Sequence, residues 1–200
     1  MTLDEEFKVF LPKYLSPEKY EQLLAELKSF PENIDKRMYS ELDGDVIYQG
    51  DVIKDLPVID ISNLALGVKK KNSLIISNTC DIDLNNKRKH VGGLLYAPLV
   101  ELEIYISYLQ RSGISIDAIR SHIDDIRKQK VTYIFYLPGT GIIKDSIVFF
   151  DKVLNIENRI ISREDLGETR LLSLSDYGFY LLLFKLSVHF SRMQEGIIRG

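Results

Sequence analysis

The run Ser73-Leu74-Ile75-Ile76-Ser77-Asn78-Thr79-Cys80-Asp81 brings reactive residue types closest together in this chain. Cys80 is the only cysteine in 200 residues, and Asp81 follows it directly. A thiol becomes a nucleophile when a neighbouring base or cation lowers its pKa. A second chemistry fits the same region. Cleavage of RNA through a cyclic phosphate needs a base for the 2′-hydroxyl, an acid for the leaving 5′-oxygen and cations for the charge that builds on the phosphate. Asp51 and Asp81 suit the base, His90 the acid or base, and Lys87, Arg88 and Lys89 the charge stabilisers. Lys69, Lys70 and Lys71 extend the cationic set. Residues 69–90 hold six bases and two acids, net +4, within a chain of formal net charge −3. That stretch is the candidate phosphate-facing patch.

Each of these residues also has a plainer role. The lysines can be solvating groups on exposed loops. Cys80 can be a small buried hydrophobe at a strand end. Asp81 can accept bonds from the backbone of its own turn. Asp81 and Asp83, two residues apart, are too sparse a set for a divalent ion, so no metal and no cofactor is predicted. His189, three residues before Arg192, reads as a core or helix-end histidine.

The elements that position these groups follow from periodicity. Leu74, Ile75 and Ile76 form an apolar run expected to be a buried strand over 73–78, with Cys80 just beyond its end. Val46–Tyr48, Gln49–Ile53, Val58–Ile61, Val91–Leu102, Val131–Leu137, Ser146–Asp151 and Val153–Ile161 are further strand candidates. Gly67–Asn72 reads as a basic turn, and Pro98 marks an edge or a bulge. Ile116, Ile119, Ile123 and Ile126 recur at helical spacing, so about 103–130 is an inserted helix or helix pair, broken near Ser112-Gly113. A final helix is expected over about 173–195, apolar nearly all round and therefore buried against the sheet or in a dimer. Residues 1–44 read as a helical leader, with Ser16 as cap, Pro17 in the first turn and Leu23, Leu24 and Leu27 as stripe. The leader has ten acids and six bases. It is a solvated amphipathic face or an acidic arm over a basic groove.

Composition sets outer bounds. Apolar residues make up 45% and charged residues 28%, ordinary for a globular chain. No apolar run approaches the ~18 residues of a membrane span, and the acidic start is unlike a secretion signal. A single cysteine excludes an internal disulfide framework and a four-cysteine zinc site, which points to a reducing, cytoplasmic setting. Short strands with Gly/Pro turns and two helical additions predict a mainly β, α+β fold: residues 1–44 as leader and 45–200 as a partly open barrel.

In order of elements the chain resembles the MazF/PemK family of small SH3-like barrels, known as endoribonuclease toxins. The similarity lies in Gln49-Gly50-Asp51-Val52-Ile53, Leu74-Ile75-Ile76-Ser77, Leu94-Leu95-Tyr96-Ala97-Pro98-Leu99, Leu137-Pro138 and Ser146-Ile147-Val148-Phe149-Phe150-Asp151, followed by a Ser-capped terminal helix. Asn78-Thr79-Cys80-Asp81 is similar to the Thr-Cys-Asp signature of a divergent branch of PemK-like proteins. The resemblance implies a bacterial toxin–antitoxin or phage-defence setting, RNA as ligand, cleavage without metal, and a protein partner of antitoxin or defence-complex kind, with a homodimer as a further expectation and no membrane partner. The family's catalytic Thr or Ser falls on Val100, and its loop Arg falls on Lys69–Lys71, which lack a guanidinium's bidentate reach. Two readings therefore stand: an RNA-binding, RNA-cleaving module, or a non-catalytic partner-binding barrel. A Cys80-dependent enzyme for a small molecule is a third. Convergence of Asp51, Cys80, Asp81 and residues 87–90 on one concave surface would mark a site.

Overall fold

Runs that alternate or concentrate apolar residues form strands here, and the runs with helical spacing form helices. The computed structural model describes residues 37–42, 44–59, 65, 67–86, 89 and 92–191. In chain order these give β1 (Tyr39–Ser40), β2 (Val52–Ile59), β3 (Val68–Ile75), α1 (Thr79–Ile82), β4 (Gly93–Glu101), α2 (Leu102–Arg111), α3 (Ile116–Arg127), β5 (Ile134–Leu137), β6 (Ser146–Phe149), β7 (Leu154–Glu157), α4 (Leu166–Thr169), β8 (Arg170–Leu174) and α5 (Asp176–Ser191). The fold is α+β. Its antiparallel eight-stranded sheet runs β1-β8-β2-β3-β4-β6-β5, with β7 on β4. The expected leader helices lie in residues 1–36, outside the described residues.

The two ends of that strand order meet. Tyr39 on β1 donates its hydroxyl to Pro138 O, just past β5, at 2.8 Å. Met38 and Leu174 from one end share a buried cluster with Phe135 and Leu137 from the other, closed over by Tyr177, Leu181, Leu182 and Leu186 of α5. Gly178 lets α5 approach this closely: a Cβ there would collide with Met38 O. A second cluster sets Leu109, Ile119, Ile123 and Ile126 of the α2–α3 pair against Ile134, Tyr136, Ile147 and Phe149. The helix pair and its break thus match the periodicity, with Ser115 capping α3 by accepting from Ala118 N. Ile116, expected on the buried face, is exposed in the first turn.

Several expectations are corrected. Val46–Tyr48 is not a strand. Val52–Ile59 is one strand, not two pieces. Gly67–Asn72 is no turn: Val68–Lys71 continue β3, with Lys69, Lys70 and Lys71 opposite Val58, Pro57 and Leu56. The lysines are exposed because this part of the β2–β3 ribbon extends beyond the core, where cationic side chains suit an open edge. Residues 170–174 form β8 and not the start of the terminal helix, since they pair with both β1 and β2. Tyr39 and Ser40, within the leader as the sequence divides the chain, belong to the sheet.

The outermost strand on the other side, β5, is covered by a side chain. Gln129, at φ 57°, donates its amide to Tyr136 O at 2.6 Å and accepts from Tyr136 N at 3.1 Å, as a neighbouring strand residue would. Lys185 of α5 holds it there. Its Nζ donates to Gln129 O at 2.9 Å, Gln129 Oε1 at 3.0 Å and Val131 O at 2.9 Å, and to Ile134 O. Among the described residues no helix is long and apolar enough to cross a membrane.

Two predictions follow from this packing. Gly178→Ala should lower unfolding stability by about 1–3 kcal/mol, because a backbone carbonyl cannot move aside as a side chain can; an unchanged urea midpoint would refute the close approach. Burial holds the Lys185 ammonium down to a pKa of about 7. An unfolded lysine titrates near its ordinary value of about 10.4. Between those values the unfolded chain keeps a proton the folded chain has released, so stability should rise with pH across that window, by up to about 1.4 kcal/mol per unit, and not below it. Lys185→Met should remove that slope in urea titrations from pH 6 to pH 10.

Candidate functional site

Asp51 lies at the start of β2 with no solvent exposure. Its Oδ2 accepts from Tyr48 N at 2.9 Å and Arg170 Nε at 3.0 Å, and its Oδ1 from the Ser173 hydroxyl at 2.8 Å. Burial pushes its carboxyl above the usual range, and the Tyr48 N–H, the Ser173 hydroxyl and the Arg170 guanidinium offset part of that rise. Arg170 also donates to Leu42 O at 2.6 Å and to Val46 O. A carboxylate enclosed by its own donors has no access to a substrate hydroxyl. Asp51, expected as a general base, is placed here as a buried anchor between the turn before β2 and β8.

Cys80 and Asp81 sit in α1, a single helical turn. The turn is held at its start, where Asn78 accepts from Cys80 N and Thr79 Oγ1 accepts from Gln49 N. It is held at its end, where Ile82 O accepts from Asn158 Nδ2 at 2.6 Å and Arg163 at 3.3 Å. Both Cys80 and Asp81 are exposed, so the thiol is not a buried hydrophobe. Lys89 is exposed on a bend nearby in sequence. Lys87, Arg88 and His90 lie outside the described residues.

Lys69, Lys70 and Lys71 are at the far end of β3 from this corner. Seven residues separate Lys71 from Asn78, on the order of 20 Å of extended chain. The described members of the expected constellation are thus distributed over a buried anchor, a surface turn and a projecting ribbon.

The structure gathers a different set. The β3–β4 ladder runs Ile75–Tyr96, Leu74–Ala97, Ser73–Pro98 and stops. Leu74–Ala97 is the hydrogen-bonded pair, so the nitrogen of Pro98 faces the other edge of β4, where β7 gives way to β6. Beyond it Leu99–Glu101 pair with β6 on the opposite edge, and α2 begins at Leu102. The two strands part and leave a groove of about 830 Å³. Its aliphatic lining includes Val58, Ile59, Val100, Ile104, Ile142 and Val153, and its charged lining Lys71, Lys144, Lys152, Glu101 and Asp151. Lys144 pairs with Glu101 at 2.8 Å. The Lys152 ammonium lies 4.6 Å from the centre of the Phe149 ring.

Of the residues singled out in the sequence, Lys71 and Val100 meet in this groove. Lys144, Asp151 and Lys152 come from the turns on either side of β6 and had no motif to mark them. Pro98, a proline inside an otherwise continuous strand, marks where β4 changes partner from β7 to β6. Among the described residues the lining contains no histidine, arginine or aromatic ring, and its one hydroxyl there, on the buried Ser146, donates to Lys144 O at 2.8 Å.

The separation of anchor from surface turn is measurable. Asp51→Ala leaves Arg170 buried without its carboxylate, and should cost about 3–5 kcal/mol of unfolding free energy. Cys80→Ala, at an exposed position, should change it by less than about 0.5 kcal/mol. Equal losses in urea denaturation would reverse the assignment.

In comparisons with known proteins, the chain matches no family model and no curated protein.

Proposed function

We propose that this chain is a PemK-like, SH3-like barrel that works as a non-catalytic, partner-binding subunit, with the β3–β4 groove as its binding site. The barrel reading is supported by the curled antiparallel sheet whose end strands share one core, with α5 packed across it. It is supported also by the order of elements that carries the resemblance.

The observation that carries the functional reading is the groove's lining. The position corresponding to the family's catalytic hydroxyl is Val100, which offers no polar atom to a reacting phosphate. Transfer of a proton from a 2′-hydroxyl and to a 5′-oxygen needs two titratable groups within reach. Of the two carboxylates present, Glu101 is engaged by Lys144. Single-stranded RNA is usually gripped by aromatic rings under its bases, and the groove supplies none. An aliphatic floor bordered by lysines suits a protein segment better. In the toxin–antitoxin or phage-defence setting that the resemblance implies, such a subunit would recognise a partner protein and leave RNA intact.

RNA binding has one observation in its favour, the three exposed lysines on the β2–β3 ribbon. The test is direct. Purified protein incubated with a fluorescent single-stranded oligoribonucleotide, with and without EDTA, should leave it uncut. Cleavage that survives EDTA and is lost in Asp151→Asn would overturn the non-catalytic reading.

A further inference from the structure

Packing α5 on the sheet leaves its other side apolar as well. Tyr177, Leu181, Leu182 and Leu186 face the core, and Lys185 is committed to Gln129. On a helical wheel the opposite arc holds Phe179, Leu183, Phe184, Ser187 and Phe190. Phe184 is 47% exposed and Phe190 69%, while Phe179 and Leu183 are half-buried. Past Asp176 the arc carries no charge. A surface helix ordinarily keeps polar residues on its outer face, so an aromatic arc there marks a contact surface.

The chain enters the sheet beside the first turn of this helix. Ser175 N donates to Met38 O at 3.0 Å, and the Ser175 hydroxyl donates to Arg37 O. Residues 1–36 therefore join the described fold at the start of α5. Within them the run from Pro17 to Phe30 follows the Ser16 cap and repeats apolar residues at Tyr20, Leu23, Leu24, Leu27 and Phe30. As a helix, that stripe would be about 15 Å long, and the arc from Phe179 to Phe190 is about 17 Å. The other positions hold Glu18, Lys19, Glu21, Glu26 and Lys28, which suit solvent. So short a helix is marginal alone in water and takes its stability from an apolar surface it can cover. Residues 31–36 reach about 20 Å when extended, enough to carry Phe30 round the width of α5 to its outer arc.

We propose that the outer arc of α5 is a docking site for the chain's own residues 17–30, laid antiparallel to α5 as an amphipathic helix. The proposal is independent of the groove. With so short a connection Phe30 comes to the Phe179 end and Leu27 to Leu183. Leu23 and Leu24 then meet Phe184 and Ser187, and Tyr20 meets Phe190. Antiparallel neighbours also set opposite helix dipoles side by side. A second copy of α5 is the competing occupant. The tether favours the chain's own segment, because a short linker holds it at a high effective concentration. The acids of the segment then point to solvent and not into a basic groove.

Disulfide trapping on the full chain reads the contact directly. In a Cys80→Ala background, Leu23→Cys with Ser187→Cys joins two facing positions. Glu21→Cys with Ser187→Cys puts the first cysteine on the far side of the segment. Under mild oxidation the first pair should close within one chain at least about tenfold faster than the second. Equal rates, or closure only between chains, would overturn the proposal.

Amide hydrogen exchange gives a second measurement on the unaltered chain. Residues 20–27 should exchange about tenfold more slowly, or slower still, than in the isolated peptide 17–30. Phe184→Asp with Phe190→Asp should remove that protection, and both side chains are exposed and outside the core clusters. Peptide-like exchange in the unaltered chain, or protection that survives both aspartates, would overturn docking on this arc. A dimer that the aspartates dissociate, with residues 20–27 unprotected, would overturn it in favour of a second copy.

Discussion

The carboxylate of Asp51 is the point from which most of the sheet is held in place. It has no solvent contact, yet Tyr48, Ser173 and Arg170 donate to its two oxygens. Those donors come from two distant parts of the chain, Tyr48 from the turn before β2 and Arg170 and Ser173 from β8. The turn before β2, the strand β8 and, through Arg170, the Leu42 and Val46 carbonyls are fixed relative to one another. The same turn carries Gln49, whose amide donates to Ile76 O at 2.7 Å and whose N–H reaches Thr79. One buried ion pair therefore sets the path of β2, β8 and the corner after β3. Such pairs rarely add stability over an apolar substitute, but removing one partner leaves a costly bare charge. Their effect is to allow few alternative arrangements of the strands they join.

How far the sequence revealed this depended on whether a residue's environment was local. The helices α2 and α3 were legible because Ile119, Ile123 and Ile126 repeat at helical spacing and their break at Ser112-Gly113 is a local backbone preference. The apolar end of β3 was legible for the same reason. The lysine run was misread as a turn because its strand conformation is imposed by pairing with β2, not by its own residue types. β8 escaped notice because it is defined by two partners far away in the chain. Asp51 looked like a candidate base for as long as Arg170, 119 residues distant, could not be placed beside it. Cys80 and Asp81 were correctly located past a strand end, while the placing of Lys69–Lys71 at the other end of β3 needed the pairing with β2. Lys144, Asp151 and Lys152 were invisible because a groove between diverging strands is a property of topology.

Pro98 links the fold to the site. Proline lacks a donor, and in β4 that gap faces the edge where pairing passes from β7, ending at Tyr96, to β6, starting at Leu99. On the other edge the β3 ladder ends at the same residue, shortly before α2 turns the chain away. The groove is the space this change of partner leaves. Val100, two residues on, sits within it as an aliphatic floor residue. Lys71 and Asn72 border it from the strand that was left behind.

The outermost strand β5 and the projecting end of β3 are protected in different ways. At β5 the edge is covered by the Gln129 amide, which mimics a strand partner, and a buried lysine on α5 is committed to holding that amide in place. Placing an ammonium in a site about as dry as the core is a costly way to cover one residue of strand. At the far end of β3, Val68–Lys71 pair with β2 and have no β4 partner among the described residues. Three consecutive lysines stand there, and they protect the ribbon by charge, since like charges would meet if two copies paired along it.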